Sequence, residues 1–252
     1  MKAEGKKIAV LTAYDATFAR LLADVGVDAL LVGDSLGMVV QGATDTLSVR
    51  LAEVAYHIRC VRAGAPQAVI IGDMPFGSFQ SSPERAFAAA AKLLAAGASM
   101  VKIEGGETFA PTVRFLTERG VPVCAHVGLM PQWVRMQGGY KVQGRGDSAE
   151  RVRADAHSME QAGASLMVLE MIPSALAADI TADITAATIG IGSGAACDGQ
   201  VLVLHDMLGL SPGAPKKIVK NFMADAASVQ EAVAHYVRAV KNGTFPAAEN
   251  SF

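Results

Sequence analysis

Residues 29–34, Ala29-Leu30-Leu31-Val32-Gly33-Asp34, form a short apolar run that ends in a carboxylate. The same pattern recurs in 68–73, 100–104 and 166–170. Apolar runs of this length, bounded by glycine and polar residues, are typical of buried strands in a parallel sheet. Parallel strands bring their carboxyl ends to one edge, so their terminal acids should converge. These acids are Asp34, Asp73, Glu104 and Glu170. Converging carboxylates repel unless a cation or a proton separates them, which predicts a metal ion and a general base.

The rest of the chain repeats a strand, a helical segment and a glycine. Eight strands are predicted, at Ile8–Tyr14, Asp28–Asp34, Ala68–Met74, Ser99–Gly105, Val121–Val127, Ser165–Met171, Ala186–Ser193 and Val201–Asp206. Helical periodicity is found in residues 17–25, 48–63, 82–97, 107–119 and 148–162. Glycine at a helix carboxyl end is typical of βα units. Eight such units in 252 residues match the size of a (β/α)8 TIM barrel, which is the predicted α/β fold.

A doubly wound sheet is the alternative fold. It needs fewer strands and has a single switch point, whereas polar residues follow nearly every predicted strand here, which favours the barrel. The weakest stretch is 179–187, which is expected to be irregular and to leave a very short seventh helix. Residues 225–243 have the pattern of a final amphipathic helix. No linker interrupts the pattern, so residues 1–252 are predicted to form one barrel domain.

The composition is that of a globular protein with a large core, because 51% of the residues are hydrophobic and 18% are charged. A net charge of -2, with dispersed basic residues, indicates neither a nucleic-acid nor a membrane partner. No apolar run approaches the roughly 18 residues of a membrane span, so a cytoplasmic location is expected. The three cysteines contain no CxxC pair, which argues against a zinc site or a disulfide framework.

Asp34, Asp73 and Glu104 end three adjacent predicted strands. Their oxygen-rich set suits Mg²⁺, which combines a few protein oxygens with water and substrate. The alternative is that each acid caps a neighbouring turn. Lys102 lies two residues before Glu104, so both should face the barrel interior. Lys102 could neutralise a substrate carboxylate or form a Schiff base, and the nearby acids favour a charged, non-covalent lysine.

His126 and Glu170 end the next two predicted strands. His126 could be a core residue, but its place at a strand end favours a hydrogen bond to a substrate oxygen. Glu170 stands further round the ring from the three predicted metal ligands. This separation suits a general base.

Two glycine-rich segments have no regular element to explain them. Residues 190–195 formally fit the GxGxxA dinucleotide fingerprint, but no suitable helix follows directly, so a close backbone approach to a ligand is the preferred interpretation. Residues 138–147 follow the fifth strand and are numerous enough to form a lid.

A resemblance to a known family emerges from longer motifs. They are Thr12-Ala13-Tyr14-Asp15, Leu31-Val32-Gly33-Asp34-Ser35-Leu36-Gly37-Met38, Asp73-Met74-Pro75-Phe76, Met100-Val101-Lys102-Ile103-Glu104-Gly105-Gly106, His126-Val127-Gly128-Leu129, Gly139-Tyr140-Lys141-Val142-Gln143-Gly144-Arg145 and Ile189-Gly190-Ile191-Gly192-Ser193-Gly194. Through them nearly the whole chain resembles the ketopantoate hydroxymethyltransferase family.

The resemblance implies a barrel of the phosphoenolpyruvate/pyruvate-like superfamily. Its reaction would transfer a hydroxymethyl group from 5,10-methylenetetrahydrofolate to 3-methyl-2-oxobutanoate, through a Mg²⁺-stabilised enolate. The product would be 2-dehydropantoate, in pantothenate biosynthesis. A Mg²⁺-dependent C–C lyase of the same superfamily and a non-catalytic barrel that binds a keto acid are the alternatives.

The resemblance also implies roles for individual residues. Asp34, Asp73 and Glu104 would hold Mg²⁺ directly or through water, and Glu170 would accept the proton. The remaining substrate-binding positions would be Ser35, Lys102 and His126, beside Asp34 and Asp73. A homodecamer is implied as well. The chain departs from the family pattern in a short N-terminus and in residues 184–188, which lack an expected proline and leave the local loop shape open.

Overall fold

Eight parallel strands close into a barrel in chain order in the computed structural model, which describes residues 1–211 and 216–252. The strands are β1 (Ile8–Thr12), β2 (Ala29–Val32), β3 (Val69–Asp73), β4 (Met100–Glu104), β5 (Val123–Gly128), β6 (Leu166–Glu170), β7 (Ala187–Ile191) and β8 (Gly199–Leu202). Strand β1 pairs with both β2 and β8, and this second pairing closes the ring. The predicted (β/α)8 barrel is confirmed.

Helices surround the barrel between the strands. They are α1 (Ala16–Val25), α2 (Leu36–Val39), α3 (Leu51–Gly64), α4 (Pro83–Ala95), α5 (Ala110–Thr117), α6 (Ala149–Gln161), α7 (Ser174–Asp183), α8 (Leu204–Met207) and α9 (Val229–Lys241). Local sequence sets several boundaries. Asp15 caps α1 by accepting from the Phe18 N–H, and Gly26 ends α1 at a φ of 94°. Within the described residues no helix is long and apolar enough to cross a membrane.

Alternation along the strands divides the core into two layers. Outward residues pack against the helices in one large cluster. A second cluster fills the barrel interior with Val10, Ala29, Leu31, Ile71, Cys124, Val168, Ile189 and Val201. Because side chains alternate with a period of two, the residue two positions further along a strand faces the same interior. Asp73, His126 and Glu170 each follow a member of this inner layer by two positions, which directs them into the barrel mouth.

Two sequence predictions about the last third of the barrel were wrong. The seventh helix is not very short, because α7 has ten residues and buries Leu176, Ala177 and Ile180. Strand β8 begins at Gly199 and ends at Leu202, so His205 lies in α8 rather than in a strand. The predicted strand Val201–Asp206 extended too far because its apolar residues continue into α8. In that helix Leu204 and Met207 are buried and pack on the outside of the barrel.

The segment 184–188, whose loop shape the sequence left open, is held by two side chains. Glu160 accepts hydrogen bonds from the backbone N–H groups of Thr185 and Ala186. Lys2 donates to the carbonyls of Ile184 and Ala186 at 2.9 and 3.0 Å. These contacts fix the entry to β7 without a proline.

Candidate active site

A cavity of about 420 Å³ opens at the carboxyl ends of the strands. This is the end of the barrel at which sites of this fold are built. The structure brings all of the predicted site residues to its wall, namely Asp34, Ser35, Asp73, Lys102, Glu104, His126 and Glu170. The cavity is therefore the candidate active site.

Lys102 provides a buried positive charge among the acids. Its Nζ lies 2.8 Å from Asp73 Oδ1 and 3.4 Å from Glu104 Oε1. Burial alone would lower the pKa of Lys102, but the surrounding carboxylates outweigh it and raise that pKa above its ordinary value. The lysine therefore stays protonated, which favours the predicted ionic role over a Schiff base, since a Schiff base requires a neutral amine.

Asp34 and Asp73 lie against each other at the ends of β2 and β3. The backbone N–H of Asp34 donates to Asp73 Oδ2 at 3.1 Å, and both side chains are buried. Burial, together with repulsion from Asp73 and Glu104, raises the pKa of Asp34 well above its ordinary value. Burial also raises the pKa of Asp73, although Lys102 opposes this effect. The pair thus stores electrostatic repulsion that a bound cation would relieve.

Glu104, His126 and Glu170 form a chain of contacts across β4, β5 and β6. His126 Nδ1 lies 3.5 Å from Glu104 Oε1, and His126 Nε2 lies 3.2 Å from Glu170 Oε2. Burial and Lys102 lower the pKa of His126, but the nearby carboxylates of Glu104 and Glu170 outweigh them and raise it to about 9. The pKa of Glu104 is lowered, because Lys102 and His126 outweigh the effect of burial.

Ser35 stands at the start of α2, beside the acids. Its Oγ lies 2.8 Å from the hydroxyl of Tyr14, a buried residue just after β1. Gly33 gives this hydroxyl its room, because a Cβ there would lie 2.9 Å from Ser35 Oγ. Tyr14 was not predicted as a site residue, although it lies within a motif that carries the family resemblance.

Gln132 is the second residue of the site that the sequence analysis missed. It lies in a 3₁₀ turn after β5, is 4% exposed, and contacts both Asp34 and Glu104. The only sequence feature at this position is an amide residue that follows a proline, which does not indicate a site residue. Amides in loops are usually solvated, so periodicity could not have found it.

The side chains of the site include the hard oxygen donors that Mg²⁺ prefers. Within residues 1–211 and 216–252, no three His, Cys, Asp or Glu side chains are arranged as a preformed metal cage. Mg²⁺ does not require such a cage, because it retains waters and substrate oxygens as ligands. The four carboxylates outnumber Lys102 and His126, and repulsion from Asp73 and Glu104 adds to burial in raising the pKa of Asp34. The hard oxygen set and this excess charge both fit a divalent cation.

The remaining cavity wall is largely apolar. It includes Val168, Met171, Ile191, Val201, Ile218 and Phe252, and Tyr140 of the glycine-rich segment 138–147 also lines it. Met171 follows Glu170 with a φ of 47°, a left-handed conformation that is unusual for a residue with a side chain. Its carbonyl accepts from the Gln143 N–H at 3.0 Å, which ties segment 138–147 to the end of β6.

The glycines of segment 190–195 pack against the protein's own side chains. A Cβ at Gly192 would collide with Ile218, and one at Gly194 would lie 2.7 Å from Ser174. Both residues have a positive φ, of 69° and 87°. Close packing within the chain therefore accounts for these two glycines, and the predicted backbone approach to a ligand stays a prediction.

Solved enzyme structures share the barrel. Phosphoenolpyruvate phosphomutase from Streptomyces platensis subsp. rosaceus matches with a TM-score of 0.63 at 12% identity, over 81% of this chain and 78% of its own. 2,3-Dimethylmalate lyase, a member of the PEP mutase/isocitrate lyase superfamily, matches with a TM-score of 0.58 at 16% identity, over 80% and 77%. At these identities the likeness shows the fold alone, which is the predicted barrel.

Sequence similarity then shows the family. The profile of ketopantoate hydroxymethyltransferase matches residues 1–248. The 3-methyl-2-oxobutanoate hydroxymethyltransferases of Azoarcus sp. (strain BH72) and Thiobacillus denitrificans are each 61% identical over 254 residues. Those alignments cover 100% of this chain and 94% and 96% of the relatives. The chain belongs to the ketopantoate hydroxymethyltransferase family and is an enzyme of the transferase class, and the relatives' name implies a step of pantothenate biosynthesis.

Proposed function

We propose that this enzyme transfers a hydroxymethyl group from 5,10-methylenetetrahydrofolate to 3-methyl-2-oxobutanoate, forming 2-dehydropantoate. Family membership supports the reaction. The observation that carries the mechanism is the division of the cavity, in which Lys102 lies among Asp73, Glu104 and His126 while Glu170 contacts His126 from the other side. A keto acid bound beside Lys102 would present its C3 carbon toward Glu170.

Asp34, Asp73 and Glu104 would hold Mg²⁺, because they supply hard oxygen ligands in a pocket with excess negative charge. When bound, the ion would act as a Lewis acid that draws electron density from the keto acid oxygens.

The chain's own residues bind the substrate and move its proton. The Lys102 ammonium and the Ser35 hydroxyl bind the substrate carboxylate, while His126 lies within reach of a substrate oxygen. Glu170 removes the proton from C3 and leaves an enolate, whose C3 attacks the methylene carbon of the folate after one of its two C–N bonds has opened to an iminium. Water then replaces the remaining folate nitrogen on that carbon and supplies the hydroxyl oxygen, which releases 2-dehydropantoate and tetrahydrofolate. His126 Nε2, 3.2 Å from Glu170 Oε2, holds the carboxylate in place as its charge changes.

The cavity has room beside the keto acid for the ring end of the folate donor. Its volume of about 420 Å³ lies within the usual range of ligand pockets, about 300–1,000 Å³, and far exceeds the needs of a short keto acid. The apolar wall formed by Met171, Ile191, Ile218 and Phe252 suits the flat rings of a folate. A dry wall would also keep water from Glu170 during proton transfer.

The first prediction tests Glu170 as the base. The wild type with Mg²⁺ should exchange the C3 proton of 3-methyl-2-oxobutanoate for deuterium, as followed by NMR in D₂O. Glu170→Gln keeps the shape of the side chain and removes the base, so exchange should fall about 10²–10⁴-fold. Unchanged exchange in Glu170→Gln would refute the assignment of the base.

A separate measurement tests the transfer. Formation of 2-dehydropantoate should require 5,10-methylenetetrahydrofolate. A wild type that cleaves C–C bonds of 2-oxo or 2-hydroxy acids without folate would be a lyase instead. One that binds keto acid with Mg²⁺ but never exchanges the C3 proton would be a binding module.

A further inference from the structure

Gln132 has no role in the proposed mechanism, yet it contacts two of the acids of the site. Its side-chain Nε2 donates to Asp34 Oδ2 and to the carbonyl of Met74, both at 3.0 Å. Its backbone N–H donates to Glu104 Oε2 at 2.9 Å. One buried residue from the loop after β5 therefore binds acids carried by β2 and β4, on either side of β3.

Gln80 fixes the orientation of this amide. Gln80 Nε2 donates to Gln132 Oε1 at 3.2 Å, while Gln80 Oε1 accepts from the Gly77 N–H at 2.8 Å. The Gln132 oxygen thus faces a donor, and its nitrogen faces two acceptors. A flipped amide would place oxygen against oxygen at both Asp34 and Met74, so the network specifies a single orientation.

These contacts leave one defined oxygen of Asp34 for a cation. Gln132 donates to Oδ2 of Asp34, so a cation would meet Oδ1 of this carboxylate. At Glu104 the Gln132 N–H takes Oε2, while Oε1 lies 3.4 Å from Lys102 Nζ, so Gln132 and Lys102 together fix this second carboxylate. Partners that orient ligating side chains in this way are a general requirement of metal sites. Gln132 itself carries no charge and adds nothing to the negative charge of the site.

We propose that Gln132 is the positioning residue of the metal site, with Gln80 orienting its amide. The proposal rests on the proposed function for the existence of the cation site. It adds that the affinity for the cation depends on an uncharged residue that donates to two of the acids.

Gln132→Ala tests the side chain alone, because it removes the bond to Asp34 and retains the backbone bond to Glu104. The measurement is Mn²⁺ binding to the purified protein, followed by the EPR signal of free Mn²⁺. We expect an affinity about 10–100-fold weaker than that of the wild type. Gln200→Ala is the matched control, since Gln200 is also a buried barrel glutamine, and its Nε2 donates to the Gly194 carbonyl at 3.0 Å. Its Mn²⁺ affinity should equal that of the wild type.

Gln80→Met is a milder test, which also serves if Gln132→Ala does not fold. It removes the donor to Gln132 Oε1 without changing the charge, so the amide remains but loses its fixed orientation. We expect a smaller loss of Mn²⁺ affinity in the same direction. Unchanged affinity in this variant would overturn the role of Gln80.

The remaining outcomes separate the two proposals. A wild type that binds Mn²⁺, with a Gln132→Ala variant that binds it equally well, would overturn the positioning role and leave the proposed function intact. An equal loss in Gln132→Ala and Gln200→Ala would also overturn it, because the effect would be one of general stability. A wild type that binds no Mn²⁺ would overturn the metal site and, with it, the role of Gln132.

Discussion

Lys102 shows how one residue decides the chemistry available to its neighbours. Its ammonium, 5% exposed, is held by Asp73 and Glu104, and those acids keep it protonated. Removing it would leave buried carboxylates facing one another without compensation, which costs more than the ion pair contributes. In the proposed mechanism the same positive charge binds the substrate carboxylate. Stability of the site and recognition of an anionic substrate therefore depend on the same atom.

The Tyr14 hydroxyl supports a prediction about substrate binding. Tyr14→Phe removes the 2.8 Å hydrogen bond that orients Ser35 Oγ. A bond of this kind contributes about 1 kcal/mol, so KM for the keto acid should rise about fivefold while kcat changes little, as expected when uniform binding is lost. Steady-state kinetics with the keto acid as the varied substrate measures both constants.

Tyr236→Phe is the control for this prediction. Tyr236 is another fully buried tyrosine, and its hydroxyl donates to the carbonyls of Val10 and Gln200, both at 2.9 Å. This variant should lower Tm but leave KM unchanged. An equal rise of KM in both variants would show that the effect of Tyr14 is structural rather than specific to Ser35.

At the scale of the element, the loops after the strands carry the site and the helices hold the barrel. Helix α3 shows how such a helix is fixed at its start. Glu53 Oε2 accepts from the Arg50 N–H at 2.7 Å, and its Oε1 accepts from Arg50 Nη2 at 2.7 Å. The Arg50 side chain, aided by this backbone bond, lowers the pKa of Glu53 from 4.5 to about 2. The helix start is thus stabilised by a carboxylate that remains ionised in mild acid.

This contact predicts a pH-dependent effect on stability. Because the folded pKa of Glu53 is depressed, its contribution is complete above the ordinary value of 4.5 and is lost as pH falls toward 2. Glu53→Gln should cost about 1 kcal/mol at pH 7, or about 3 °C in Tm for a chain of this size. The difference from the wild type should shrink as pH falls below 4.5.

Thermal unfolding of both proteins at pH 7 and pH 3 checks this expectation. Glu118→Gln, at an exposed position after α5, provides the comparison and should change stability by less than about 0.5 kcal/mol at either pH. A constant difference between Glu53→Gln and the wild type across this range would contradict the role of the Glu53 carboxylate.

At the scale of the molecule, several large apolar side chains outside the helices and strands are exposed. Val40, Phe76, Met136 and Leu210 are each at least 48% exposed and lie in turns or loops. Exposed apolar groups of this size mark interaction surfaces when they are contiguous. They are consistent with the assembly that the family resemblance implies.

We therefore expect the purified enzyme to form the homodecamer. Light scattering coupled to size-exclusion chromatography should give a mass near ten times that of the 26.1 kDa chain at micromolar concentration. Because apolar burial would drive the assembly, moderate salt should not dissociate it. A mass equal to one chain would contradict the decamer.

Strand periodicity accounts for much of the site. Asp73, His126 and Glu170 point into the mouth because each lies two positions beyond an inward apolar residue, a relation that depends only on local backbone geometry. The limits of β8 were harder to predict, because Val201–Asp206 is equally compatible with a strand or a short helix until packing decides. Helix α7 was predicted too short because its residues are weakly patterned and become helical when Leu176, Ala177 and Ile180 pack against the barrel.

The sequence by itself determined the barrel, its family and the convergence of four strand-end acids, because these follow from short-range patterns of apolar and acidic residues. Only the tertiary structure decided which side chains contact each of these acids. Lys102 reaches Asp73 and Glu104, while Gln132, 98 positions from Asp34 along the chain, binds it through an amide that Gln80 orients. Such contacts join residues from different strands and loops. Their partners are set by the closed ring of the barrel, which no local pattern encodes.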